Sequence, residues 1–305
     1  MRARIAGFTL VEMALVLGLV GLLAFLFLPM GRVMQEQAKI KETRAKLDAI
    51  EAAMVRYVML NERLPCPADG QLPDSDPNAG QESRIPAEWT GCNSVARTRP
   101  VVPWRALGLT ADDVVDAWGM RITYRPWMTP TALTPPTRIL SLTADDIACA
   151  PGASVTGKPL RARRAKVTGT DNNVWEVLLT DTSCQVAPPN NNPGHRVLTK
   201  VTGGSSLANP DTSTNGKTGA AYVLISHGPN QCGGYTRSGI YQTQCAGTPA
   251  SLDEQRNFNN QPSQGNGTGQ GYVDRPYDES PSDHFDDIVR WRTIMQVAAE
   301  AKKVN

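Results

Sequence analysis

The hydrophobic pattern sets the first sixty residues apart from the rest of the chain. From Met13 to Met30, eighteen consecutive residues carry no charge, and with Phe8 to Glu12 the stretch reaches 23 residues. As a helix that is about 34 Å, enough to cross a bilayer core. From Gly31 to about Asn61 the pattern stays helical but turns amphipathic. Ile50, Ala53, Met54, Tyr57 and Val58 follow an i, i+3, i+4, i+7, i+8 stripe. Glu42/Lys46 and Arg44/Asp48 sit four apart on another face, where they support an exposed helix. Pro65 and Pro67 then stop it. The pattern predicts one long helix of roughly fifty residues, half apolar and half amphipathic. A coiled-coil seam is the other reading of the stripe, although it is too short and irregular for sustained heptads.

Beyond residue 63 the period changes. Short β-branched or aromatic runs bounded by Gly, Pro, Asn and Asp predict strands at Arg121–Tyr124, Arg138–Leu142, Val174–Thr180, Arg196–Val201, Ala221–Ser226 and Ile288–Arg292. Two low-charge tracts rich in Asn, Gly, Ser, Thr and Pro, roughly 186–219 outside the short strand and 246–283, read as exposed loop insertions. Thr293–Lys303 reads as a short helix. Gly plus Pro make 49 of 305 residues, in keeping with a loop-rich β body. With 31 basic and 29 acidic residues the chain is nearly neutral, which argues against nucleic acid or an anionic membrane surface as a whole-chain partner. The one basic cluster, Arg161 to Lys166, reads as a solvated turn flanking a strand, or as a contact for phosphates or a membrane.

The N-terminus carries the most specific signal. Arg2 and Arg4 precede the apolar run, so the excess of positive charge predicts a cytoplasmic start and an outward-facing remainder. Leu26 to Met30 is a poor signal-peptidase site. Glu12 lies inside the apolar run, where a carboxylate in hydrocarbon costs about 2.5–3.5 kcal/mol and needs a partner. Gly7-Phe8-Thr9-Leu10-Val11-Glu12 resembles the cleavage and methylation motif of type IV prepilins and type II secretion pseudopilins. The resemblance implies a prepilin peptidase cut between Gly7 and Phe8, with N-methylation of Phe8. It also implies that Glu12 neutralises the new Phe8 amine of a neighbouring subunit, and that Pro29 loosens the helix. The amphipathic half is then expected to pack on the sheet of the head.

All six cysteines, Cys66, Cys92, Cys149, Cys184, Cys232 and Cys245, lie after the first 65 residues, as disulfides in an oxidising periplasm or exterior would. Fifteen pairings are open. Sequential pairing demands the least long-range ordering. Two head segments also resemble the pseudopilin pattern. Asp116-Ala117-Trp118-Gly119 followed by Met120 to Tyr124 is similar to the family's Asp-Pro-Trp-Gly turn and strand, with Ala117 in place of Pro. Ile225 to Asn230 and Asp286-Asp287-Ile288 resemble the last-strand loop, where many members bind calcium. The resemblance thus makes Asp286 and Asp287 candidate calcium ligands, and a turn or helix cap is the other reading of both. No further cofactor is expected.

Ser226-His227 with Asp286 invites a Ser–His–Asp triad, but neighbouring strand residues point to opposite faces and no Gly-x-Ser-x-Gly elbow occurs. Asp112/Asp113 and Asp145/Asp146 read as caps. The expectation is therefore a non-enzyme of α+β class: pilin-like, a long N-terminal helix packed on an antiparallel sheet head with large loop insertions. Its parts are a leader (1–7), a transmembrane helix segment (8–30), an amphipathic stalk (31–63) and a globular, disulfide-bonded head (64–305). The function the resemblance implies is a structural subunit of a type IV pilus-like filament, in a minor or tip position because the head is large. A type II secretion pseudopilin is the alternative, and a membrane-anchored periplasmic enzyme a distant third. Expected partners are the prepilin peptidase, other pilin or pseudopilin subunits and an inner-membrane assembly platform. The expected location is the inner membrane as a single-pass protein with a periplasmic head, then a pilus or pseudopilus.

Overall fold

The computed structural model describes residues 9–61, 63–84, 91–93, 98–129, 137–139, 194–208, 219–243, 245, 250–259, 271–278, 280, 283–293, 296–297 and 300; the side chains of 23–33, 91, 128–129, 137–139 and 259 lie outside that description. The candidate strand at Val174–Thr180, Cys149, Cys184, Asp145/Asp146 and the basic cluster at 161–166 all fall outside the described residues. The helix α1 covers Leu10–Asn61, 52 residues. The chain divides into two compact units, Met1–Glu42 and Thr43–Asn305, and α1 contributes to each.

In the first unit α1 starts at a capping box. The Thr9 N–H and Oγ1 each donate to Glu12 Oε2 at 2.9 Å, and the Glu12 N–H donates back to Thr9 Oγ1 at 3.3 Å. The apolar side chains that follow are exposed on every face, including Leu10 at 88 % and Leu17 at 65 %. Among the described residues no helix is long and apolar enough to cross a membrane, which overturns the expected location as a single-pass inner-membrane protein with its span at 8–30.

The second unit is an α+β assembly. Its strands are β1 (Ala68–Asp69), β2 (Gly91–Cys92), β3 (Pro100–Val101), β4 (Met120–Arg121), β5 (Thr123–Pro126), β6 (Met128–Thr129) and β7 (Thr137–Ile139), then β8 (Val197–Leu198), β9 (Ser206–Ala208), β10 (Ala220–Ser226), β11 (Tyr235–Thr236), β12 (Tyr272–Val273) and β13 (Ile288–Thr293). A second helix, α2, covers Leu252–Asn259. The main sheet has the order β1-β3-β5-β10-β13 and is antiparallel throughout. Smaller sheets are β11-β4, β2-β7-β6, and β12-β8-β9, whose β12–β8 pair is parallel.

Strand β10 is buried at all seven positions. Its Val223 and Ile225 join Val197, Ala208, Tyr272, Val273, Phe285 and Val289 in one apolar cluster with the β12-β8-β9 sheet. Tyr222 and Leu224 alternate to the opposite face, where the Tyr222 ring lies 6.2 Å from that of Tyr124. Because both faces are covered, β10 reads in sequence as a nearly continuous apolar run.

The amphipathic stripe of α1 is the helix's contribution to this core. Leu47, Ile50, Ala53, Met54, Tyr57 and Val58 are all buried. Polar side chains fix the register. Thr43 Oγ1 accepts from the Ala117 N–H (3.2 Å), Lys46 Nζ donates to the Val115 carbonyl (2.8 Å), and Arg292 of β13 grips Glu51 with two bonds of 3.0 Å. At the helix end Tyr57 donates to Glu82, which also takes a bidentate pair from Arg63. Asn61 Nδ2 caps the Tyr57 carbonyl at 2.9 Å. The Cys66–Cys92 disulfide joins the segment after the helix to β2, and Cys232–Cys245 closes a 13-residue loop after β10.

Candidate functional site

The two head segments singled out in the sequence meet in space. Asp116 Oδ1 accepts the N–H groups of Trp118 (3.0 Å) and Met120 (2.8 Å), and Gly119 at φ +89° supplies the left-handed step of the turn. Asp116 Oδ2 accepts from Ser226 Oγ at 2.7 Å, across 110 residues of sequence. Burial is the main cause that holds the Asp116 carboxyl above its ordinary value, against the bonds from Ser226, Met120 and Trp118. His227, the next residue, turns the other way: its Nε2 lies 2.9 Å from Thr123 Oγ1 and its Nδ1 3.5 Å from Asp287 Oδ1. Ser226 and His227 therefore do not pair with each other. Thr123, His227 and Asp287 stand in the order of a nucleophile, base and orienting carboxylate, but they are 3 %, 0 % and 4 % exposed, and a substrate cannot reach a group so enclosed.

Gly228 (φ +55°) turns the chain after β10, and any Cβ there would collide with the Asp286 carbonyl. That close approach lets the Asn230 N–H donate to Asp286 Oδ2 at 2.8 Å. Asp286 and Asp287, adjacent in sequence, then serve different partners. Asp287 Oδ2 accepts from Asn257 Nδ2 (2.7 Å), and Asn257 also pairs with both backbone groups of Val273, locking α2 to β12. Asp286 faces Glu254 of α2, whose Oε1 accepts the Asp286 N–H at 2.8 Å, and His284. Glu254 is placed by a second capping box, with Ser251 N–H to Oε2 at 2.8 Å and Glu254 N–H to Ser251 Oγ at 3.3 Å. One donor atom from each of Glu254, His284 and Asp286 lies within 4.8 Å of the others. Burial first, then the hydrogen bond to Glu254 and the charge of Asp287, push the Asp286 carboxyl up to about 9. Calcium takes six to eight oxygens. Two carboxylates and an imidazole nitrogen converge here instead, so the donor set does not suit a calcium cage.

The remaining candidates are placed as follows. Gly7 and Phe8 lie outside the described residues, as does the side chain of Pro29, whose backbone is within α1. Glu12 caps its own helix through Thr9. Asp113 accepts from the Thr110 N–H and Oγ1 within a local turn, and Asp112 pairs with Arg237 at 2.6 Å.

Three groups escaped the sequence reading. Glu254 and the helix that carries it sit in a tract taken for loop, although Ser251-x-x-Glu254 is a helix-start signature. The Thr9-x-x-Glu12 box has the same signature. Arg121, 1 % exposed, is a hub with no local signal: it donates to the carbonyls of Gly70, Leu72 and Arg237 and to Asp74 Oδ1 at 2.6 Å, and its guanidinium lies 5.1 Å from the Trp104 ring centroid. Compared with family models, curated proteins and solved structures, the chain matches none.

Proposed function

We propose that the chain is a structural subunit, in a minor or tip position, of a type IV pilus-like filament. In this reading a prepilin peptidase cuts between Gly7 and Phe8, Phe8 is N-methylated, and subunits join by packing their N-terminal helices. The work is assembly rather than catalysis. One observation carries the proposal: from within the Gly7-Phe8-Thr9-Leu10-Val11-Glu12 motif onward, nine large apolar side chains between Leu10 and Leu22 stand exposed around the whole helix. Covering each of them is worth about 1.5–3 kcal/mol, so helix-to-helix packing has roughly 13–27 kcal/mol to draw on before the costs of association. Within such an apolar bundle the Phe8 amine needs a counter-charge, and Glu12 of a neighbour is the acid at the right depth. The amphipathic half of α1 then carries the head, and partner subunits and an assembly platform act on the apolar half.

Intact-mass and N-terminal analysis of the protein from whole cells and from sheared surface material tests the proposal. The expected result is loss of residues 1–7, one added methyl group on Phe8, and mature protein in the sheared fraction. Mature protein that never reaches the sheared fraction would favour the pseudopilin alternative. A chain that still begins at Met1 would sink both.

A further inference from the structure

The groups gathered at the start of β13 have a spacing that hydrogen bonding does not use. His284 Nε2 lies 3.4 Å from Asp286 Oδ2 and 3.6 Å from Glu254 Oε1. Both separations exceed the roughly 2.7–3.2 Å of an N–H···O bond. They match two ligands of one ion, since bonds of about 2.0–2.2 Å at the tetrahedral angle hold donors about 3.3–3.6 Å apart. Neither ring nitrogen of His284 has a hydrogen-bond partner, and neither has Asp286 Oδ1, although His284 is 8 % and Asp286 0 % exposed. Buried polar atoms without partners are costly, and His284 Nε2, which faces both carboxylates, marks a missing neighbour between them.

We propose that Glu254, His284 and Asp286 bind a divalent first-row transition metal of the zinc type. Imidazole suits zinc and its neighbours in the row, whereas calcium and magnesium select oxygen. An ion would displace the proton that burial holds on Asp286, and the two carboxylates and a neutral imidazole then carry −2 against a divalent cation. The nearby acids are already engaged, Asp287 by Asn257 and Asp253 by Arg275 Nε at 2.9 Å. Asp286 Oδ1 supplies a fourth donor from the same carboxylate. The lone pairs are available, because Glu254 Oε1 and Asp286 Oδ2 each accept one backbone N–H and can accept one bond more. The ion joins helix α2, the segment leading into β13 and the turn at Asn230. It is thus a structural clamp on the insertion between β11 and β12. The clamp concerns the head alone and stands or falls apart from the filament proposal.

The test uses the full chain, with detergent covering the apolar helix segment, stripped by chelator and then titrated with zinc. Cobalt(II) serves as the spectroscopic probe. The expected result is one zinc per chain retained through gel filtration, an upward shift in Tm that saturates at one equivalent, and visible cobalt bands of low-coordinate N/O ligation. A large excess of calcium should displace neither ion. His284→Ala and Glu254→Gln should each weaken retention at least about tenfold. Glu254→Gln preserves the capping box and so keeps the test valid if His284→Ala fails to fold. No retained zinc, retention undiminished in Glu254→Gln, or displacement by calcium would each overturn the proposal.

Discussion

The two units of the molecule place their side chains in opposite ways. Along Leu10–Leu22 the apolar groups face outward, while in the head Arg121, Asp116, Glu254, Asp286 and Asp287 are nearly or fully buried. The head can bury charge because each such group finds an internal partner from distant sequence: Asp74 for Arg121, Ser226 for Asp116, Asn257 for Asp287. Among the described residues the apolar side chains of Leu10–Leu22 stand exposed, without a counterpart of that kind. Under the proposed function, stability of the head and assembly through the helix are separable properties, and substitutions should affect one without the other.

The strongest way to break that comparison is at Arg121. Arg121→Ala removes the donor to the Gly70 and Leu72 carbonyls and leaves Asp74 with Arg237 alone, and the expected loss is about 3–5 kcal/mol in chemical unfolding of the head. A loss within about 0.5 kcal/mol would mean that water replaces the guanidinium and that the buried hub is incidental. Next comes His195, which burial chiefly, and the Arg125 charge secondarily, hold down at about 4, against the backbone bond at Pro126. The folded value lies below the ordinary value of about 6.5, so the unfolded chain binds the extra proton. Stability from this group is complete above about pH 6.5 and is lost as pH falls through the window to about 4, by about 3 kcal/mol in all. Unfolding curves across that window should be markedly steeper with pH for the native sequence than for His195→Gln. Equal slopes would remove His195 as the acid-sensitive group.

The smallest effect on the head, and the sharpest on assembly, is expected at Glu12. Glu12→Gln retains the capping box with Thr9 but not the charge, whereas Glu12→Ala loses both, at about 1 kcal/mol of local helix stability. Both variants should be cleaved by the peptidase, leave head unfolding unchanged and enter filaments poorly. If Glu12→Gln assembles normally while Glu12→Ala does not, the residue acts as a cap and the pairing with the Phe8 amine is refuted.

What could be read in the sequence was whatever repeats locally. The stripe Ile50, Ala53, Met54, Tyr57, Val58 is buried as its period demands, and the apolar run at Ala221–Ser226 lies in the interior strand β10. The described disulfides join sequential cysteines, the arrangement that needs the least ordering. Two-residue strands such as β1, β3 and β12 are too short to leave a period, and they exist only because neighbours supply the ladder. The 246–283 tract looked like loop because its composition is polar, yet α2 forms there from a capping box and is held by Asn257 and Glu254. The convergence of Glu254 with Asp286 across 32 residues, and of Ser226 with Asp116 across 110, belongs to topology. No local pattern encodes it. The expected membrane location is corrected by the described residues, among which no helix is long and apolar enough to cross a membrane.

The polar anchors of α1 in the head have a mechanical meaning. Thr43, Lys46, Glu51 and Tyr57 grip three places on the head, the 115–117 segment, Arg292 and Glu82, from points spaced along about 21 Å of one helix. A pull directed along that helix loads these bonds together, in shear, instead of peeling them one after another. The attachment behaves as a riveted seam rather than a hinge, and tension arriving at the helix is shared across the body of the head.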